Sequence, residues 1–221
     1  MSRVTLQEKA YHALRSAVIN RRFPTGTKLV VRALSERLDL SPTPIKGALA
    51  ALEREGLVTA VPHRGYFVRR ISARDIEEIY ALREVVDGLA ARLCATLADD
   101  RVLLRLRALL ARQRACIRTG DFEKYGDLDL AFHRCIRDAS GNSRLVRAAE
   151  AYDGQVRLLI DASTRARTLP TSIQEHKVVA EAIGTRNASA AEAAMRRHVR
   201  EAGRALRERL LRHADAQRIS M

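Results

Sequence analysis

Apolar residues recur at the spacing of an amphipathic helix over most of the chain. The first helical stretch ends at the break FPTGTK, and a short second one is VRALSERL. A third follows the turn DLSPTP, where Ser41 is placed to cap the helix start and Gly56 to end the helix. Pro42 and Pro44 fall in the first turn of this helix, where a missing N–H group is tolerated. These patterns predict three helices in the first quarter of the chain.

Two runs rich in β-branched and aromatic residues follow, LVTAV and YFVRR. They are joined by PHRG, a short segment of turn-forming residues, and this arrangement is typical of a β-hairpin. Helix, helix, turn, helix and hairpin in this order predict a winged helix-turn-helix domain over residues 1–70.

Beyond a short linker at residues 71–72, the chain shows helical periodicity only. The sequence SARD offers a capping-box start for a helix at Ala73. About six helical stretches follow, with breaks near Asp99, at Gly120, at SGN, at TLPTS and at GTRNAS. We therefore predict an all-α bundle over residues 73–221 and a mainly α fold class, with an N-terminal winged helix-turn-helix and a C-terminal helical bundle.

The balance of charge favours a polyanionic partner. The formal net charge is +14, and residues 1–70 hold 13 Lys and Arg against 5 Asp and Glu, whereas residues 71–221 hold 27 against 21. The first domain is therefore the more basic per residue, which is typical of a module that binds a polyanion. No run approaches 18 apolar residues, and the start MSRVTLQEKAYH lacks a hydrophobic signal segment, so we expect a cytoplasmic protein.

Histidines stand on the apolar faces of three helical stretches. In LDLAFHRCIRD, Asp129 and His133 lie one turn apart on the flank of an apolar stripe. His176 and His198 lie within the stripes of the last two stretches, each 11 residues from Asn187 in the turn GTRNAS. An antiparallel pair of helices would bring these two imidazoles to the same level. Two interpretations follow: a site for Zn²⁺, Ni²⁺ or Mn²⁺, or a buried hydrogen-bond network that only fixes three helices in register.

Arg83 and Asp87 interrupt another apolar stripe, in IYALREVVDGLA, and they lie one turn apart. One interpretation is an ion pair within the helix. The other is a guanidinium directed into a cavity, where it would bind the carboxylate of a ligand through two hydrogen bonds.

The motifs, taken in order, give a family resemblance that covers nearly the whole chain. The segment from YHALRSAVINRRF to PHRGYFV resembles the winged-helix signature of the GntR superfamily of bacterial transcription regulators. The segments LREVVDGLAARL, LDLAFHRCIRDASGN, EHKVVAEAI and AAMRRHVREA resemble the FCD ligand-binding domain of its FadR-like group.

The resemblance implies a recognition helix in the major groove of DNA and a wing whose Arg64 can enter the minor groove. Where the family commonly has arginines, this chain has Pro42 and Lys46, and Gly47 replaces an acidic residue. Proline has no side-chain donor and lysine lacks the bidentate fork of arginine, so we expect fewer hydrogen bonds to base edges. The residues expected to contact DNA are Arg32, Ser41, Thr43, Lys46, His63, Arg64 and Gly65.

In the second domain the resemblance implies an effector site and a metal site. Arg83 matches a family arginine that binds an effector carboxylate. Asn142 matches an asparagine for which two roles stay open, facing the effector or capping the next helix. The aspartate and three histidines grouped above match the metal ligands of FCD domains, with Zn²⁺ expected before Ni²⁺ or Mn²⁺. The expected ligands are Asp129, His133, His176 and His198.

The resemblance implies a metabolite-responsive transcription regulator, more commonly a repressor, that acts as a homodimer on a roughly palindromic operator. A small carboxylate would bind between the metal and Arg83 and favour one of two packings of the bundle. One alternative is a DNA-binding protein without an effector. Another is a metal-dependent hydrolase, but the acid beside His176, Glu175, points about 100° away from it on a helix. We therefore expect no enzymatic activity.

Overall fold

The structure is a computed structural model that describes residues 4–163 and 169–219. Within these ranges the chain forms nine helices and one three-stranded sheet. The N-terminal elements are α1 (Leu6–Ile19), β1 (Lys28–Leu29), α2 (Val31–Leu38), α3 (Pro42–Arg54), β2 (Val58–Val61) and β3 (Gly65–Val68). The bundle elements are α4 (Ala73–Leu97), α5 (Asp100–Thr119), α6 (Phe122–Ala139), α7 (Ser143–Ser163), α8 (Leu169–Gly184) and α9 (Ala188–Ile219). The predicted fold class is confirmed.

The sheet contains one strand more than the sequence predicted. β3 pairs antiparallel with β2, as expected of the hairpin, and its other edge pairs with β1. Lys28 and Leu29 lie opposite Phe67 and Tyr66 in that second ladder. A strand of two residues is too short to show an alternating pattern, so it could not be predicted from the sequence.

Helix starts follow the predicted capping residues with one exception. At α4, Ser72 and Asp75 form the expected capping box. At α3, Ser41 occupies the capping position, but its side chain makes no capping hydrogen bond. A capping side chain accepts from the second or third N–H of its helix, and the third residue here is Pro44, which has none. The prediction that Ser41 caps α3 through its hydroxyl is therefore wrong, although the helix begins where predicted.

The predicted break at TLPTS differs from the structure in a similar way. α8 begins at Leu169, so LPTS forms its first turn, while Thr168 lies outside the described residues. Pro170 is the second residue of this helix, a position where a missing N–H group costs little. A proline can thus mark the first turn of a helix as well as a break between helices.

The chain divides into two compact units. The first contains the described residues up to Arg70 together with Ala151–Leu158 of α7. In this unit Gly154 packs so closely that a Cβ atom there would lie 3.1 Å from Leu57 Cγ. The contribution of α7 to the first unit is not indicated by its helical periodicity. In the described part of the chain, no helix is long and apolar enough to cross a membrane.

The second unit has a core to which all six helices α4–α9 contribute. α4 and α9 run antiparallel, because Glu84 pairs with Arg200 at 2.6 Å and Arg92 pairs with Glu192 at 3.2 Å. Their backbones approach closely where Gly203 of α9 faces the ring of Tyr80. This contact sets the spacing of the two longest helices.

We expect Gly203→Ala to lower the free energy of unfolding by about 1–3 kcal/mol, because the added Cβ would meet the Tyr80 side chain and force a backbone shift. That Cβ atom would lie 2.8 Å from Tyr80 Cβ. The control is Gly184→Ala in α8, where no atom lies within 4 Å of the new Cβ. Urea denaturation followed by circular dichroism measures both, and equal midpoints for the two variants would contradict the packing described.

Candidate metal centre and nucleic-acid interface

Three imidazoles meet inside the bundle, one from each of α6, α8 and α9. They belong to His133, His176 and His198, which are all buried, and one nitrogen of each lies within 4.8 Å of the others. The Nε2 atoms of His176 and His198 are 3.1 Å apart. The structure thus brings together the three histidines that the sequence analysis grouped.

Asp129 adjoins this triad. Its Oδ1 atom lies 3.6 Å from His176 Nε2, and its Oδ2 atom lies 4.0 Å from Arg83 Nη2. The carboxylate is buried as well. All four predicted ligands therefore lie in one region of the interior.

The orientation of His176 is fixed by Gln113 of α5, a residue that the sequence analysis did not select. The side-chain amide of Gln113 is buried and donates to the carbonyl oxygen of Leu128 at 3.1 Å. Since a carbonyl only accepts, Gln113 Oε1 must be the atom 3.1 Å from His176 Nδ1. An amide oxygen also only accepts, so His176 Nδ1 carries the proton and His176 Nε2 carries a lone pair.

Carboxylates lie beside the other two rings, and each faces the Nδ1 atom of its histidine. His133 Nδ1 lies 3.1 Å from Asp87 Oδ2, and His198 Nδ1 lies 2.9 Å from Glu175 Oε2. An ionised carboxylate accepts hydrogen bonds and does not donate them, so His198 Nδ1, which is hydrogen-bonded to Glu175, carries a proton. At His133 the contact is close but lacks hydrogen-bond geometry, and the charge of Asp87 favours a proton on the same nitrogen. The Nε2 atoms of all three histidines are then available as donors of lone pairs, which is the usual outer arrangement of metal-ligating histidines.

Two imidazole nitrogens at 3.1 Å need a proton or a metal ion between them, because two lone pairs at this distance repel each other. For metal–nitrogen bonds of about 2.1 Å, neighbouring nitrogens lie about 3.0 Å apart in octahedral and about 3.4 Å apart in tetrahedral coordination. The separation of His176 and His198 falls between these values. Three imidazoles with an adjoining carboxylate form a donor set that suits divalent transition ions, so the residues fit a metal.

The protonation states of the histidines agree with this arrangement. Burial lowers the pKa of His133 to about 4, and the charge of Arg83 acts in the same direction. Burial also lowers the pKa of His176 well below its usual value, with His198 adding to the effect. Both imidazoles are therefore neutral at pH 7, and the neutral form is the one that binds metal ions.

A buried ion network lies beside the triad. Arg83 Nε is 3.1 Å from Asp87 Oδ2, so the ion pair within α4 that the sequence allowed is present. Arg137 Nη1 is 3.0 Å from Asp87 Oδ1. Burial alone would raise the pKa of Asp87, but His133 and the two guanidiniums outweigh burial and hold this pKa below its usual value. Asp87 is therefore ionised.

Arg137, like Gln113 and Glu175, was missed by the sequence analysis. A signal for Arg137 existed, because it follows His133 by four residues on α6 and so continues the polar line of the site. Gln113 had no such signal, since one glutamine in an arginine-rich helix resembles a solvent-facing residue. Glu175 was considered only as a catalytic base, whereas in the structure it contacts the outer nitrogen of His198.

Asn142 caps α7. Its Oδ1 atom accepts from the backbone N–H groups of Arg144 at 3.0 Å and Leu145 at 3.4 Å. The capping role that the sequence left open is thus present. An additional role toward an effector stays a prediction.

The predicted DNA-contacting residues of the helices lie at the surface of the first unit. Ser41, Thr43 and Lys46 are exposed on the first turns of α3. Arg32 is exposed at the start of α2 and pairs with Glu36 at 3.1 Å. An exposed ion pair of this kind contributes little to stability, so Arg32 can exchange Glu36 for another anion.

The tip of the wing, the β2–β3 hairpin, is a tight turn with an unusual residue. Arg64 N donates to Val61 O at 3.0 Å, and Pro62 and His63 stand between them. His63 has φ +60°, which together with a preceding proline indicates a type II turn. Glycine or asparagine normally occupies that position, so His63 holds a strained backbone at an exposed tip. Gly65, with φ +95°, follows it.

Comparison with known proteins agrees with this geometry. The family model of bacterial regulatory proteins of the gntR family matches residues 6–68, and the FCD domain model matches residues 78–201. The chain is a GntR-family regulator with an FCD domain. The two matched segments coincide with the winged helix and with the bundle that contains the histidine triad, and the second covers more than half of the chain.

Curated relatives of the regulator are transcription regulators as well. It is 27% identical to the uncharacterized HTH-type regulator YdhC of Bacillus subtilis, over 82% of each chain. It is 24% identical to the HTH-type transcriptional repressor RspR of Escherichia coli, over 92% of this chain and 90% of that one. It is 23% identical to a probable D-xylose utilization operon repressor of Paenarthrobacter nicotinovorans, over 90% and 88%.

Solved structures show the same fold at lower identity. McbR/YncC of E. coli superimposes with a TM-score of 0.81 at 18% identity, covering 94% of the regulator and all of that chain. A Rhodococcus transcriptional regulator superimposes with a TM-score of 0.77 at 22% identity, covering 90% and 96%. The likeness to these chains concerns the fold.

We expect Gln113→Leu to weaken Zn²⁺ binding about 10- to 100-fold, because His176 would lose the acceptor that fixes its Nδ1–H form. Gln113→Glu keeps an acceptor facing the ring and should retain more affinity than the leucine variant. Gln174→Leu, at an exposed position of α8, is the control and should bind as wild type does. Competition with a chromogenic chelator measures the affinities, and equal values for Gln113→Leu and Gln174→Leu would contradict the role of Gln113.

Proposed function

We propose that this regulator is a metabolite-responsive repressor whose bundle binds a divalent transition metal and a small carboxylate. The observation that carries the proposal is the 3.1 Å contact between the Nε2 atoms of His176 and His198, beside a third imidazole and a carboxylate in the interior. A contact of this kind needs either a proton or a metal ion between the two nitrogens, and the surrounding donor set suits a metal ion. Zn²⁺ is the first candidate, followed by Ni²⁺ and Mn²⁺. The residues that would hold the ion are Asp129, His133, His176 and His198.

The charges around the triad favour an anionic effector. Arg83 and Arg137 are balanced by Asp87 and Asp129, so the buried network is neutral without a metal. A divalent ion adds two positive charges, and only one of them is offset by Glu175 at the edge of the site. When bound, the metal would supply a Lewis acid to the oxygens of the effector.

Arg83 would bind the far end of that anion. Its guanidinium is buried and lies within 4.0 Å of Asp129, so it stands on the metal side of the network. A guanidinium can hold a carboxylate through two hydrogen bonds, which gives geometric selectivity as well as attraction. Asn142 is a second candidate for effector contact, although its amide oxygen is engaged in the cap of α7.

The first unit supplies the DNA-binding surface in this proposal. The hydroxyl of Ser41, which does not cap α3, is available for a phosphate, and Thr43 and Lys46 share its exposed surface. Strain retained at the exposed His63 is typical of a site whose shape serves binding. Arg32, Arg64 and Gly65 complete the surface predicted from the sequence.

Repression is proposed because two relatives that match about nine-tenths of the chain carry repressor names. A homodimer is proposed because winged-helix regulators read two half-sites related by a two-fold axis. DNA as the partner places the protein in the cytoplasm. A metal-dependent hydrolase is disfavoured, because the carboxylate of Glu175 is engaged with the outer nitrogen of His198 and cannot serve a water molecule bound to the metal.

His176→Ala should abolish metal binding, because it removes the nitrogen shared by the contacts to His198 and Asp129. Wild-type protein should bind about one Zn²⁺ ion per chain. His12→Ala, which changes an exposed histidine of α1, should bind as wild type does. Elemental mass spectrometry after loading and desalting gives the stoichiometry. Wild-type protein that takes up none of Zn²⁺, Ni²⁺ or Mn²⁺ would leave the four residues as a structural hydrogen-bond network.

Lys46→Ala and Arg64→Ala should each weaken operator binding and lower the slope of log affinity against log salt by about 0.9, because each removes one positive charge from the surface that faces the DNA. Arg101→Ala, at an exposed position of α5, is the charge-matched control. Fluorescence anisotropy over a range of salt concentrations measures affinity and slope together. Slopes that are the same for all three variants would show that DNA binds elsewhere.

A further inference from the structure

α4 carries an apolar stripe on the side away from the metal centre. Leu82, Val85 and Leu89 are 51%, 51% and 36% exposed. Their spacing of three and four residues places them on one face of the helix. Among the described residues of the bundle, the other exposed large apolar side chains are scattered: they are Leu97 at the end of α4, Leu104 on α5, Val178 on α8 and Leu211 on α9. A contiguous exposed stripe of this kind is typical of an interaction surface.

Two charged residues flank the stripe symmetrically. Glu78 precedes Val85 by seven residues, and Arg92 follows it by seven. Seven residues make two turns, so both charges share the face of Val85 and stand about 10 Å from it along the helix axis. Both are well exposed, at 63% for Glu78 and 59% for Arg92.

We propose that two copies of the regulator pack α4 against α4 in antiparallel orientation, around a two-fold axis at Val85. In that arrangement Leu82 faces the partner's Leu89, and Glu78 faces the partner's Arg92. The two-fold axis repeats each contact, so four leucines and two ion pairs surround the central valines. This interface rests on the homodimer proposed above and specifies the surface that forms it.

The orientation follows from the charges. A parallel pair in register would place Glu78 against the partner's Glu78 and Arg92 against the partner's Arg92, and like charges across an interface are unfavourable. Only the antiparallel pair matches acid with base at both ends while it also covers the leucines.

Glu78 and Arg92 also form ion pairs within one chain, but these do not prevent them from pairing with the second copy instead. Glu78 pairs with Arg74 at 2.8 Å, where both side chains are exposed, and the exposed Arg92 pairs with the half-buried Glu192 at 3.2 Å. Exposed ion pairs contribute little to stability. Glu192 also binds Arg196 at 2.8 Å, so it keeps a partner if Arg92 turns toward the second copy.

Sedimentation velocity of the full chain over a range of concentrations tests the interface. Val85→Arg places two like charges at the axis and should raise the dimer dissociation constant by at least about tenfold. Leu104→Arg makes a similar substitution at an exposed position of α5 and should dimerise as wild type does. Circular dichroism shows that the variants are folded.

The charge swap tests the register independently of Val85. Glu78→Arg and Arg92→Glu should each weaken the dimer, because each puts like charges together twice. The double variant restores opposite charges and should recover most of the wild-type affinity. The interface is overturned if Val85→Arg dimerises as wild type does, or if Val85→Arg and Leu104→Arg weaken the dimer to the same extent. It is also overturned if the double variant dimerises no more tightly than the single variants. In these cases the proposal of a homodimer itself is not affected. A monomeric wild-type protein overturns both.

Discussion

The interior of the bundle depends on one buried carboxylate, that of Asp87. Its Oδ2 atom lies 3.1 Å from both Arg83 Nε and His133 Nδ1, and its Oδ1 atom lies 3.0 Å from Arg137 Nη1. Without this carboxylate two guanidiniums would be left without their common anion in the interior, which is far more costly than the loss of an exposed ion pair. The same oxygen that neutralises Arg83 also sets the orientation of His133. Asp87 therefore balances the charge of the core and positions the imidazole of His133 at the same time.

The histidine triad could be predicted from sequence because helices are regular. Equal distances from a turn place His176 and His198 at one level, and four-residue spacing places Asp129 and His133 on one face of a helix. The residues behind the triad could not be predicted in this way. Gln113 reaches His176 from a separate helix, and only the packing of α5 against α8 brings them together.

Two other differences come from effects that local patterns do not contain. β1 consists of two residues and exists because β3 offers a free edge, so its cause lies in the tertiary structure. Ser41 marks the start of α3 correctly, but its hydroxyl makes no capping hydrogen bond, and Pro44 removes one of the two N–H groups that could have donated to it. The residue type thus predicted correctly where the helix begins. Whether its side chain forms the capping hydrogen bond depends on the residues that follow it as well.

The two prolines that start α3 have a consequence for how this helix can hold DNA. A helix N-terminus normally presents several free backbone N–H groups, which bind phosphate whatever the side chains are. In α3 the first and third of these groups are missing, at Pro42 and Pro44. The N–H groups of Thr43 and Ile45 remain, so side chains must supply a larger share of the contacts to a phosphate than at an ordinary helix start. Side chains can be replaced one at a time without moving the backbone, so single substitutions here can change how tightly the DNA backbone is held while the helix itself stays the same.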